Sequence, residues 1–128
     1  MMTDADAPTP ALLEAMDEAF NRNDIDAVMA FFAEDAVFDH AAGPEVHGTR
    51  FEGKAAIRAA FGGLFERTER VHWETLDARI AGEKAYCEYL RTATAKSGET
   101  DVCRSIDVLT FRAGLIVRKD TFFKQRVS

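Results

Sequence analysis

The sequence predicts an α+β domain, a cone in which three N-terminal helices pack on a curved, mainly antiparallel sheet. Two observations carry most of this. Apolar residues recur at helical spacing through much of the first half, and from Val71 the helical period gives way to four strand-like segments, roughly 71–81, 84–95, 100–111 and 115–125. Turn signals at Ala81-Gly82, Ser97-Gly98 and Ala113-Gly114 separate those segments, so each strand is expected to pair with the next as a hairpin.

The helices follow from their caps and stripes. Thr9 before Pro10 suits an N-cap followed by proline at the first helical position, and Leu12, Leu13, Met16, Ala19 and Phe20 form one apolar stripe. That helix breaks at Asn23. Asp24 can cap a second helix with Ile25, Val28, Met29 and Phe32 on one side. The stretch "AVFDH", residues 36–40, reads as a short strand, and "AAGPEVHGTRFEG" as a polar excursion bearing glycine and proline. A third helix, "KAAIRAAFGGLF", follows and is expected to weaken at Gly62-Gly63.

Composition bounds the function. The 128 residues are 47% hydrophobic, enough for one compact domain over 10–128 after a flexible N-terminus at 1–9. No segment is long and apolar enough to span a bilayer. The opening "MMTDADAPTP" has two acidic residues, no basic ones and no apolar core after it, which argues against a secretory signal and for a cytoplasmic protein. A net charge of -6 without a lysine or arginine cluster argues against nucleic acid. The histidines make no zinc pattern, and neither a phosphate loop nor a serine elbow is present, so no metal and no cofactor are implied.

One residue breaks the strand pattern. In "RSIDVLTF", residues 104–111, Asp107 shares a face with Leu109 and Phe111, so a carboxylate points where apolar side chains point. A loop centred on Ser97-Gly98 would set Asp107 opposite Glu88, with Tyr86, Glu88, Leu90 and Thr92 on its face. Cys87 and Cys103 would then face opposite ways and form no disulfide, which suits a reducing compartment. A three-residue loop with Gly114 in the left-handed position would set Lys119 opposite Asp107. A two-residue loop would put Asp120 there instead, and would turn Leu115, Val117 and Phe123 from the core face.

The stretches "FAEDAVFDHAAGPEVHGTRFEGKAAIRAAF" and "SIDVLTFRAGLIVRKDTFF" resemble the SnoaL-like and ketosteroid-isomerase-like group, which shares the nuclear transport factor 2 fold. The resemblance covers about residues 10–125. It implies that Asp107 falls where ketosteroid isomerases keep a protonated aspartic acid that donates to the developing oxyanion. By the same resemblance His40 falls where those enzymes place their aspartate base, so the base here would be an imidazole. Met16 falls where they keep a tyrosine donor, and a thioether donates no hydrogen bond.

Together these readings predict a pocket for a small, largely apolar molecule. Met16, Phe20, Phe38 and Phe61 would line it from one side, and Leu90, Leu109 and Phe123 from the sheet. Glu88 is a further ligand contact beside Asp107. Within that wall His40 would move a proton beside a carbonyl, Asp107 would donate to the enolate or orient the substrate, and Lys119 would stabilise charge. The alternative is a binding or dimerisation domain without turnover, with Asp107 and Lys119 as a structural pair and His40 bonded to backbone. If Asp107 faces inward, Val102, Arg104, Ile106, Val108 and Thr110 face outward, as do Cys87, Tyr89, Ile116 and Phe122 on the neighbouring strands. That much apolar surface predicts a two-fold homodimer packed through the outer sheet face, which the resemblance also implies.

Overall fold

The structure, a computed structural model, describes residues 7–125 and Val127; residues 1–6 of the expected N-terminal extension lie outside the described residues. Helix α1 (Pro10–Asn21) starts where expected, with the Thr9 side chain accepting from the Leu12 amide at 3.1 Å. It buries Leu13, Met16, Ala19 and Phe20. Asp24 caps α2 (Ile25–Met29) by accepting from the Asp26 and Ala27 amides. This helix is a single short piece. Phe32, expected on its apolar side, instead opens the first strand, β1 (Phe32–Glu45).

β1 runs well beyond the short strand predicted at 36–40. The glycine- and proline-bearing excursion is its far half, a turn, and β2 (Gly48–Glu52), paired antiparallel with Phe38 opposite Phe51 and His40 opposite Thr49. Helix α3 (Lys54–Arg67) then runs through Gly62-Gly63 without a break, Gly62 lying against Ile25 of α2. The remaining strands are β3 (Thr68–Ala81), β4 (Lys84–Ala95), β5 (Thr100–Arg112) and β6 (Leu115–Phe123). They form one six-stranded sheet in the order β2-β1-β6-β5-β4-β3, antiparallel except where β1 lies parallel to β6. The helices cover one face, and the core sits between Phe20, Val28, Ile57 and Phe61 on the helical side and Ala85, Leu109, Phe111 and Ile116 on the sheet.

Two asparagines finish the β3 edge. The Asn23 amide group accepts from Val71 N at 3.0 Å and donates to Val71 O at 2.9 Å, and Asn21 does the same for Trp73 at 2.8 and 3.0 Å. Each side chain thus stands in for a neighbouring strand and satisfies backbone groups that an edge would leave open. Asn23 reaches this position from a left-handed backbone, φ 53, which its short polar side chain tolerates.

Both interior hairpins differ from expectation, with different consequences. Between β4 and β5 the loop is Lys96-Ser97-Gly98, closed by Ala95 N donating to Glu99 O, with Gly98 at φ 93. This shifts the pairing by one residue, so Cys87, not Glu88, stands opposite Asp107. Cys87 and Tyr89 are therefore buried in the core rather than outward-facing, and Glu88 and Leu90 are on the outer face. Cys103, opposite Arg91, shares the inner face with Cys87, contrary to the expected opposite parity. Both thiols are free and buried, separated by four residues of register, roughly 13 Å along the strands.

Between β5 and β6 the loop is the two-residue Ala113-Gly114, both with positive φ, the twist that suits a tight hairpin. A register shift between Thr110 and Phe111 then leaves Val117 as an extra residue on β6, and the parity reverses. Ile116, expected outside, is buried on the core side before the bulge; Lys119 and Thr121 face inward after it. Thr121, rather than Lys119, is directly opposite Asp107, with Lys119 one inward position away.

On the outer side Asp39 of β1 is fully buried between two arginines. It accepts from Arg50 Nε and Nη2 at 2.8 and 3.0 Å and from Arg118 Nη2 at 3.0 Å, joining β2, β1 and β6. The Arg50 guanidinium holds its pKa below the ordinary 3.8, burial opposing and Arg118 adding to the effect. A depressed folded pKa contributes stability that is present above the unfolded value and lost as pH falls through the folded one. Asp39→Asn should therefore be less stable than the parent near neutral pH, with the gap narrowing below about pH 4. Urea midpoints measured across that range check this; an unchanged gap would mean that the carboxylate charge is not its source.

Candidate functional site

Beneath the helices, Asp107 and Lys119 form a closed pair. Lys119 Nζ donates to Asp107 Oδ2 at 2.5 Å and Thr121 Oγ1 donates to Asp107 Oδ1 at 2.6 Å. The ammonium lies 5.2 Å from the centroid of the Phe20 ring and 5.9 Å from those of Phe38 and Phe61, within range of attraction to their π faces. Next to it the Tyr89 hydroxyl donates to Asp17 Oδ1 at 2.6 Å, and Thr75 donates to the other oxygen. Burial raises the Asp17 pKa against these two donors, raises that of the Tyr89 phenol, and pushes the Cys87 thiol up to about 11. The space between Met16, Phe20, Trp73, Tyr89, Asp107 and Lys119 is about 10 Å³. One water is the most it could hold.

His40 opens on a different space. A cleft of about 410 Å³ lies between the β1–β2 hairpin, α3 and β4, with Phe38, Phe51, Phe61 and Leu64 as its apolar wall. Phe38 stacks between the other two rings, 4.8 Å from Phe61 and 5.7 Å from Phe51, at 22° and 19°. Its polar groups are His40, Thr49, Arg67 and Arg91. The His40 ring meets Phe38 and Phe123 edge-on, each at 5.9 Å, and its Nδ1 accepts from the Ala42 amide at 3.2 Å. Gly48 makes this arrangement possible, because a Cβ there would lie 1.9 Å from the His40 carbonyl oxygen.

The predicted wall is thus divided. Met16, Phe20, Leu109, Asp107 and Lys119 meet in the filled interior; Phe38 and Phe61 line the cleft, each with its centroid 5.9 Å from the Lys119 ammonium; His40 lines the cleft and Phe123 lies against its ring. Glu88 and Leu90 do not join either. Glu88 accepts from Arg104 at 2.9 Å on the outer face, because of the register shift in β4. Reading the sequence missed Arg91, Arg67, Thr49 and Phe51. Recognising the Lys96-Ser97-Gly98 loop would have turned Arg91 inward, and the glycine at 48 is the remaining signal for a hairpin bringing Thr49 and Phe51 to His40. No group of three or more histidine, cysteine, aspartate or glutamate residues is placed to hold a metal ion among the described residues.

Removing one partner of the interior pair strands the other. Lys119→Met should destabilise the protein by on the order of 3 kcal/mol, and the double variant Asp107→Leu with Lys119→Met should recover much of that. Urea unfolding of the three proteins measures it; a neutral Lys119→Met would contradict the pair's structural weight.

Residues 13–119 match the SnoaL-like domain family. Among curated proteins none matches the chain. A hypothetical protein with a ketosteroid isomerase-like fold from Catenulispora acidiphila, solved with trimethylamine, is similar at 21% identity over 91% of this chain and 88% of that one, with a TM-score of 0.78. A putative polyketide cyclase from Xanthomonas campestris is 26% identical over 89% and 88%, TM-score 0.72. Another putative polyketide cyclase, from Pseudomonas putida, is 23% identical over 88% and 89%, TM-score 0.69. With the family matched over most of its length and the α+β sheet and helices in common with these structures, the chain belongs to the SnoaL-like domain family.

Proposed function

We propose that the protein binds a small, largely apolar molecule in the cleft beside His40 and moves a proton on it next to a carbonyl. The observation that carries this is the imidazole at the edge of an aromatic-walled space large enough for a small organic molecule. Its ring can serve either way. With Nδ1 accepting from the Ala42 amide, Nε2 carries the hydrogen and donates; with Nδ1 protonated toward the Ala42 carbonyl, 3.4 Å away, Nε2 offers a lone pair. Two similar structures are described as putative polyketide cyclases, and closing a polyketide ring begins with proton removal beside a carbonyl.

In this reading Asp107 and Lys119 act on the fold rather than on the substrate. Their mutual bond and the Thr121 donor occupy them, and the space beside them, about 10 Å³, is too small for an organic molecule. Exchange of the α-protons of 2-tetralone in heavy water, followed by NMR, tests the proton transfer. The parent should accelerate exchange and His40→Ala should lose about a hundredfold of that acceleration. Binding without any acceleration would leave a binding domain without turnover, and equal rates in both proteins would remove His40 from the chemistry.

We further propose a two-fold dimer through the outer sheet face. Phe122 is 52% exposed there, beside Ile106 and the Glu88–Arg104 pair, with Tyr86, Leu90 and Val108 on neighbouring positions. An apolar patch with a charged pair at its side suits a self-complementary contact. Light scattering should give twice the chain mass at micromolar concentration, and Phe122→Glu should give a monomer with unchanged circular dichroism. A monomeric parent rules the dimer out.

A further inference from the structure

We infer that the ligand of the cleft is an anion, an organic carboxylate or enolate with an aromatic or alicyclic body, and that Arg91 is the group that recognises its charge. This deepens the reading of the cleft given above and rests on it. Arg91 projects from the inner face of β4, opposite Trp73 on β3 and Cys103 on β5. Its guanidinium carbon lies 5.1 Å from the centroid of the Phe123 ring and 5.8 Å from that of Trp73. It thus lies within cation–π range of two aromatic rings, which restrain its fork.

What it lacks, among the described residues, is a carboxylate within ion-pair distance. Arg50 and Arg118 face Asp39, Lys119 faces Asp107, Arg104 faces Glu88, and Arg112 faces Asp35. Among the described residues Arg91, although only partly exposed, makes no such pair within 4.0 Å. Burial depresses its pKa, with the Cys103 thiol and the Asp101 and Asp107 carboxylates acting the other way. A guanidinium taken partly out of water gains from an anion with two oxygens in plane, which it can hold by two parallel bonds.

The surroundings agree on the charge. Arg67, at the end of α3, lines the same cleft, the other polar groups there are His40 and Thr49, and no carboxylate of the described residues borders the space. The stacked rings of Phe51, Phe38 and Phe61 give the cleft an aromatic wall against which an apolar body can pack. With an enolate, the same guanidinium would stabilise the negative charge that forms as His40 removes a proton, so the binding group and the proposed chemistry fit one molecule.

Isothermal titration of the full chain with biphenyl-4-carboxylate and its uncharged analogue biphenyl-4-carboxamide tests this, with the His40 ring resonances in NMR reporting where each probe sits. The carboxylate should bind the parent at least about tenfold more tightly than the amide and shift the His40 signals. In Arg91→Met that preference should fall toward one, and in Arg91→Lys, which keeps the charge without the fork, it should be intermediate. Equal affinities in the parent, or a preference that survives in Arg91→Met, would overturn the anion inference while leaving the cleft reading in place. Failure of both probes to bind, or binding that leaves His40 unmoved, would overturn the two together. Should Arg91→Met not fold, the parent's preference and its change in Arg91→Lys decide the matter.

Discussion

Burying Asp107 against Lys119 takes two charges out of water, and each costs several kcal/mol unless every remaining polar bond is met. The neighbouring strands meet them. Thr121 supplies the second donor to the carboxylate, the rings of Phe20, Phe38 and Phe61 surround the ammonium, and no buried side-chain nitrogen or oxygen is left without a partner among the described residues. An interior satisfied in this way has almost no room left. On the proposed reading, the ligand's space lies instead at the rim, beside the β1–β2 hairpin and α3, where His40 stands.

How much of this the sequence reveals depends on parity. The limits of β3 to β6 follow closely from the turn residues, because glycine at 82, 98 and 114 marks each reversal. The faces are harder. In "AKSGET" a loop of three residues and one of two or four contain the same glycine, and the choice flips every side chain of β4. The stretch Ala85–Arg91 offers no correction, since Tyr86 and Leu90 on one face look as apolar as Cys87 and Tyr89 on the other. Arg91 was hidden for this reason. Lys119 was placed on the right face by a different route, since the two-residue turn and the bulge at Val117 restore the parity that a three-residue loop would have given.

The β1–β2 hairpin was illegible for another reason. Gly43, Pro44 and Gly48 are the composition of a loop, yet Gly48 is there because the strand backbones approach too closely for a side chain. Its pairing is anchored by Arg50 on the buried Asp39, an interaction between residues eleven apart that no local pattern announces. Asn21 and Asn23 likewise look like helix-ending residues, and their long-range role on the β3 edge appears only once the sheet lies against α1.

Two rings that line the open cleft also lie near the buried ammonium, and this joins the energetics of cleft and interior. Phe38 and Phe61 border the cleft, and the centroid of each also lies 5.9 Å from the Lys119 ammonium. A ring drawn toward a buried cation has less freedom to turn, so the pair behind the wall helps to fix the surface a ligand would lie on. The cations on either side then have different duties by virtue of their partners. Lys119 is paired with Asp107 within the chain; Arg91 lies beside Trp73 and Phe123 with no carboxylate of the described residues within ion-pair distance, which is what the anion proposal rests on.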